Sequence, residues 1–146
     1  MSYLIPQLIL LIILLALSAF FSGSEAAIFS LSKLEKKRLS HQHPRAWKTI
    51  SSLLERPRRT LITILIGNMA VNTMAITMVT VLAVEWFGPS GVGWVIPLFT
   101  FILVITGELT PKVFTVRHNE WFALISAVPL DLIAGILFPI RRLVRL

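Results

Sequence analysis

The chain has 146 residues, of which 55% are hydrophobic and only 14% are charged, with a mean hydropathy of +0.81. Soluble domains carry about 25% charged residues, so this composition excludes an ordinary cytosolic enzyme, a disordered tail and a fibrous repeat. It indicates an all-α integral membrane protein with room for three or four spans. The absence of cysteine excludes disulfides, thiolate metal sites and thiol nucleophiles.

The net charge of +7 would be typical of a nucleic-acid-binding protein, but the distribution of the charges favours basic loops on the cytoplasmic side of a membrane. Nine of the 14 Lys and Arg residues lie in 33–59, and the rest follow from Lys112 onward. Neither 1–7 nor 85–94 contains a Lys or Arg residue. The positive-inside rule therefore predicts a multi-pass plasma-membrane protein with a cytoplasmic 33–59 segment, an outer N-terminus and an outer 85–94 loop.

Three apolar stretches are predicted to cross the membrane, at about 3–32, 60–84 and 94–116, because each has the roughly 20 residues that a crossing helix needs. In the basic segment between the first two, Pro44 and Pro57 interrupt two short helices. That pattern predicts a cytoplasmic helical hairpin docked on the membrane face.

The last stretch, about 121–146, is the ambiguous one. Its apolar part is long enough to cross, but Arg117 precedes it and further arginines follow residue 140. A crossing would place one of these basic groups outside the membrane. We therefore favour a juxtamembrane interfacial helix over a fourth span.

Each predicted span contains a polar cluster, and intramembrane polar groups mark functional sites by default. At 1.5 Å per residue the clusters lie about 14–16 Å from the basic inner flank, so all three meet at one depth. Pro111 also lacks the N–H that the Gly107 carbonyl would accept. Oxygen ligands of this kind suit hard cations such as Mg²⁺, Na⁺ or Ca²⁺. The candidate ligands are Ser22, Ser24, Glu25, Gly67, Asn68, Asn72, Gly107 and Glu108.

A purely structural interpretation stays open for single members of these clusters. Ser and Asn residues in spans often join helices by hydrogen bonds, which would account for Ser18 and for Asn72. Glu25 or Glu108 could form an ion pair with Lys112. The common depth of the three clusters favours a binding site over this interpretation.

These residues also carry a resemblance to the transmembrane domain of the CorC/CNNM family of magnesium transporters. The matching stretches are FFSGSEAAIFSLSKLEKKRL at 20–39, TILIGNMAVNTMA at 63–75, GELTPKVFTVRHNE at 107–120 and VPLDLIAGILFPIRRLV at 128–144. One departure is Met69, where family members often have a second Asn.

The resemblance implies three spans plus a juxtamembrane helix, packed as a homodimer in the lipid bilayer, and Mg²⁺ export coupled to Na⁺ entry. It maps FSGSE onto the serines at 22 and 24 and the acid at 25, GN onto 67–68, and GE onto 107–108. Family members usually continue into cytosolic CBS modules, which would begin where this chain stops.

Two other functions compete with transport. The first is a membrane anchor or dimerisation domain for cytosolic regulatory domains, with the polar clusters acting only in helix packing. The second is a membrane enzyme. We do not expect an enzyme, because the predicted spans contain no nucleophile and base that could act as a pair.

The charge distribution predicts the topology of the first two loops. A cysteine introduced by Ser90→Cys should react with an impermeant thiol reagent applied outside intact cells, whereas one introduced by Ser51→Cys should react only after permeabilisation. Equal labelling of both positions from one side would contradict the three-span topology.

Overall fold

The computed structural model describes residues 3–137 together with Pro139 and Leu143. The described chain is helical, and no strand occurs in it. A short 3₁₀ turn, Pro89–Gly91, precedes the fifth helix, and one π turn, Ile105–Leu109, separates the fifth helix from the sixth. The helices are α1 Leu4–Phe29, α2 Lys33–Gln42, α3 Pro44–Glu55, α4 Pro57–Phe87, α5 Val92–Val104, α6 Thr110–Arg117 and α7 Asn119–Ile136.

Four helical segments are long and apolar enough to cross a membrane: Leu4–Phe29, Pro57–Phe87, Pro89–Arg117 and Asn119–Ile136. The first three coincide with the predicted spans, so a multi-pass membrane protein is confirmed. The fourth has only 18 residues and the lowest mean hydropathy of the four, 1.3. Its length still allows a crossing, so the interfacial position of α7 stays a prediction. The part of this expected helix after Ile136, including its flanking arginines at 141, 142 and 145, falls largely outside the described residues.

Helix α1 is the centre of the bundle, because α4, α6, α7 and the π turn all pack on it. One face of α1 is buried and carries small or polar residues among apolar ones. Small residues allow helix backbones to approach closely in a membrane. A Cβ on Gly67 of α4 would lie 2.5 Å from the ring of Phe21, so this close approach of α4 to α1 requires glycine at 67.

The boundaries of the helices follow from local backbone chemistry. Pro44 and Pro57 are the first residues of α3 and α4, where the missing proline N–H costs no hydrogen bond and the fixed φ suits a helix. Ser32 and Glu35 form a capping box at the start of α2. Gly88, with φ of +76°, ends α4 in a conformation that favours glycine.

Polar contacts fasten the start of α7 to α1 and α2. The side-chain amide of Asn119 donates to the carbonyl oxygen and the hydroxyl of Ser30, at 3.4 and 3.3 Å. Arg38 of α2 pairs with Glu120 at 2.9 Å. Burial raises the pKa of Glu35, but hydrogen bonds from Ser32 and Asn119 and the charge of Arg38 outweigh it and leave that pKa below its ordinary value. The start of α7 is therefore held at the end of α1.

The contact between Gly67 and Phe21 predicts a packing defect on substitution. Gly67→Ala should lower the free energy of unfolding by about 1–3 kcal/mol, because the added methyl group overpacks a rigid ring. Thermal unfolding in detergent, without divalent metal, measures the effect. The control Gly135→Ala adds the same methyl group on α7 with no atom within 4 Å, and should leave stability unchanged or raise it. A Gly67→Ala variant as stable as the parent would contradict this packing.

The interfacial position of α7 makes a second labelling prediction. His118 and Leu143 are exposed described residues near the two ends of the 121–146 stretch. Cysteines introduced at both positions should be protected from an impermeant reagent in intact cells, because neither end of an interfacial helix reaches the outside. Ser90→Cys is the reactive control. External labelling of Leu143→Cys would identify α7 as a fourth span.

Candidate metal site

The predicted site residues come from three segments, two of which pack on the third. Helix α1 contributes positions 22, 24 and 25, α4 contributes 67, 68 and 72, and the π turn contributes 107 and 108. Helix α1 packs on both α4 and the π turn. The three segments on which sequence analysis placed polar clusters are therefore neighbours in the fold.

Ser18 is the residue that links these segments, and it was not among the predicted ligands. Its fully buried hydroxyl lies 2.7 Å from Asn72 Oδ1 and 3.3 Å from Asn68 Oδ1. A Cβ on Gly107 would lie 2.8 Å from the same hydroxyl oxygen, so the π turn also packs directly on Ser18. The available signal was helical spacing, because Ser18, Ser22 and Glu25 follow one another at intervals of four and three residues and share a face of α1.

The Ser18 contacts form a cluster of one hydroxyl group and two side-chain amides. One hydroxyl group carries one hydrogen, which can serve only one of the two amide oxygens that face it. A third partner with positive charge would satisfy the remaining oxygen. The neutral oxygens of such a cluster are typical ligands of hard cations.

Ser22 lies one turn beyond Ser18 on the same face of α1. It is 1% exposed, and its Oγ has no hydrogen-bond partner among the described residues. Leaving a buried hydroxyl unsatisfied costs about 1–3 kcal/mol. An unsatisfied oxygen at this position is available to a ligand.

The π turn leaves more backbone carbonyl groups without an α-helical N–H donor than the sequence suggested. The N–H of Thr110 donates to the carbonyl of Ile105, five residues back, and Pro111 has no N–H. The carbonyls of Thr106 and Gly107 therefore both lose their α-helical donors, whereas the sequence pattern indicates this only for Gly107. π turns occur frequently at functional sites. Glu108 is partly buried within this turn.

Ser24 and Glu25 make contacts away from the Ser18 cluster. The Ser24 hydroxyl donates to the carbonyl of Phe20 at 2.6 Å, within α1 itself. Glu25 Oε2 lies 3.9 Å from Lys112 Nζ of α6. The described contacts thus bring Ser18 together with both asparagines and the π turn, whereas Ser24 and Glu25 have other partners.

The composition of the site sets it apart from transition-metal centres. Among residues 3–137, 139 and 143, the His, Cys, Asp and Glu side chains form no group of three that could hold a metal ion. Any cation in the cluster would be held by hydroxyl, amide and carbonyl oxygens with the help of one or two carboxylates. Such ligand sets suit Mg²⁺, Ca²⁺ or Na⁺.

Comparison with known proteins tests the resemblance to a family. The family model described as the CNNM, or cyclin M, transmembrane N-terminal domain matches residues 9–146. A UPF0053 protein of Haemophilus influenzae is 37% identical over 132 residues, which cover 90% of this chain and 31% of that protein. The UPF0053 inner membrane protein YfjD of Escherichia coli is 30% identical over 124 residues, covering 85% and 29%.

A chloroplastic DUF21 domain-containing protein of Arabidopsis thaliana is 34% identical over 138 residues, which cover 94% of this chain and 21% of that protein. The chain thus spans less than a third of the length of each of these three relatives. The match of the family model over nearly the whole chain confirms the resemblance seen in the motifs. The chain belongs to the CNNM transmembrane-domain family.

Proposed function

We propose that this chain is the membrane part of a magnesium transporter, with Mg²⁺ bound as the substrate where α1, α4 and the π turn meet. The observation that carries the proposal is the Ser22 hydroxyl, which is buried, lacks a partner among the described residues and lies one turn from the Ser18 cluster. Polar groups inside a membrane protein are expensive to bury. A ligand bound at this position would satisfy the Ser22 hydroxyl.

The available oxygens match the chemistry of Mg²⁺. This ion prefers six oxygen ligands in octahedral geometry and gives up its water reluctantly. Ser22 and Asn68 would supply neutral side-chain oxygens, and the carbonyls at 106 and 107 would supply backbone oxygens. Glu108 would supply the negative charge that a divalent cation needs at this depth.

The other candidate residues take supporting roles in this proposal. Ser18 and Asn72 hold α1 against α4, so that Asn68 stays at the site. Gly67 permits the close approach of the two helices. Ser24 and Glu25 lie one turn or less beyond Ser22, and are the candidates for a coupling Na⁺.

Transport needs alternating access to the site from the two sides of the membrane. Broken helices near the middle of a membrane are a common feature of transporters, because their free carbonyls line the cavity of the substrate. Here the break is the π turn before Pro111. We further propose that two copies assemble as a homodimer in the plasma membrane and that Mg²⁺ is exported as Na⁺ enters.

The alternative is a membrane anchor for cytosolic regulatory domains. The hydrogen bond between Ser18 and Asn72 favours it to some degree, because such bonds join helices without binding any ligand. An anchor does not, however, account for the Ser22 hydroxyl or for a carboxylate in the π turn. Binding of Mg²⁺ to the purified chain separates the two functions.

The substitution Glu108→Gln tests the proposed site. It keeps the shape of the side chain but removes the charge that offsets the cation. Wild-type chain should gain about 2.7 kcal/mol of stability at a Mg²⁺ concentration one hundred times the Kd, and the variant should lose this protection while unfolding normally without metal. Thermal unfolding in detergent with and without MgCl₂ measures both quantities.

Control variants make the test specific to the site. Glu85→Gln makes the same chemical change near the outer end of α4 and should leave the protection intact. Asn68→Ala and Ser22→Ala should weaken it by less than Glu108→Gln, since water can partly replace a neutral ligand. If Glu108→Gln is protected like the wild type, the site assignment is wrong. If the wild type gains no protection, the anchor function is favoured.

A further inference from the structure

We infer that Lys112 is a built-in counter-charge for the proposed Mg²⁺ site, and that its pairing with Glu25 weakens substrate binding enough for release. The inference rests on the proposed function and extends it to a residue that sets affinity. It starts from the contact between Lys112 Nζ and Glu25 Oε2 at 3.9 Å. Neither residue contacts the Ser18 cluster in the described contacts.

Three charged side chains lie at the depth of the site or between it and the basic inner flank. They are Glu25 on α1, Glu108 in the π turn and Lys112 on α6. Together they carry a net charge of −1, from two carboxylates and one ammonium group, and the ammonium group pairs with Glu25. Charges inside a membrane protein are expensive unless paired, so Lys112 halves the number of unpaired carboxylates in the metal-free protein.

The pair is loose enough to respond to a cation. Its separation of 3.9 Å exceeds the 2.7–2.9 Å of a charge-assisted hydrogen bond. The two side chains are 44% and 40% exposed, so neither is locked by packing. Lysine carries its charge on a flexible four-carbon stem, and Lys112 follows Glu108 by four residues, so its ammonium group can turn towards either carboxylate.

Binding of a divalent cation changes the local charge from −1 to +1. The ammonium group then repels the cation, and this repulsion lowers the affinity of the filled site. Transport requires such a compromise, because an ion must bind well enough to enter a site and weakly enough to leave it. Without Lys112 the empty site would carry a net charge of −2. The Glu25 carboxylate would then have no ion-pair partner and could join Glu108 in attracting the cation.

The net charge of these three side chains predicts how the Kd for Mg²⁺ changes in three variants. Lys112→Met keeps the length of the side chain and removes its charge, so it should tighten Mg²⁺ binding about tenfold or more. Glu25→Gln raises the net charge to 0 and should weaken binding by a similar factor. The double variant restores −1 and should return the Kd close to that of the wild type.

The measurement is the Mg²⁺ Kd of the purified chain in detergent, obtained by calorimetric titration with MgCl₂ and by thermal protection. Lys33→Met, the same substitution at the exposed start of α2, is the control and should leave the Kd unchanged. Lys112→Arg, which keeps the charge, should also bind as the wild type does. Each expected change in the Kd follows from the charge beside the proposed site. A purely structural ion pair would affect the stability of the protein but not the Kd.

Three outcomes would overturn the inference. If both single variants lower the metal-free melting temperature and leave the Kd unchanged, the pair is only structural. If the double variant binds as weakly as Glu25→Gln, Glu25 is a direct ligand. If the Lys112→Met variant binds Mg²⁺ with the Kd of the wild type, Lys112 does not act as a counter-charge. A wild type that does not bind Mg²⁺ at all would instead refute the proposed function itself.

Discussion

Hydrogen bonding inside a medium without water is the constraint on which this structure depends. Lipid offers no donor or acceptor, so each polar side chain in a span needs a partner within the protein. Ser18 meets that need by contacting Asn72 and Asn68 across the interface between α1 and α4. This interaction fixes the rotation of α1 about its axis, and through it the direction in which Ser22 faces.

The same constraint explains where the backbone is irregular. Pro111 and the π turn leave two successive carbonyls without α-helical donors, and this would be costly in contact with lipid. The π turn packs instead on α1, where Gly107 allows the Ser18 hydroxyl to approach. The irregular segment and the polar face of α1 thus support each other. A regular apolar helix in place of the π turn would remove a partner of the polar face of α1. An apolar face on α1 would likewise remove the partner of the π turn.

At the end of the bundle that is predicted to face the cytoplasm, the helices are held by interactions that are common in soluble proteins. A capping box starts α2, and one ion pair and the amide hydrogen bonds of Asn119 hold the start of α7 to α2 and α1. These contacts fix the first turn of α7 beside the end of α1. The position of α7 thereby becomes part of the same rigid unit as the polar face of α1, even though α7 contributes none of the candidate ligands.

The sequence by itself indicated where the long apolar helices lie and predicted a common depth for the polar clusters. Hydropathy defines spans because every crossing helix must be apolar over a fixed length, and a constant rise per residue converts sequence position into depth. The motifs also identified the family, because they follow one another in matching order over the whole chain. None of these properties depends on how the helices face one another.

Tertiary structure alone decided which polar groups meet. Ser18 is predicted to join helices by hydrogen bonds, and it does so with both asparagines while also packing on the π turn. Ser24 is predicted to be a ligand, and its hydroxyl donates to a carbonyl of its own helix. A serine in a helix can serve its own backbone or a neighbour, and helix rotation decides between them. That rotation depends on packing between segments some 50 to 90 residues apart, which local sequence patterns do not encode.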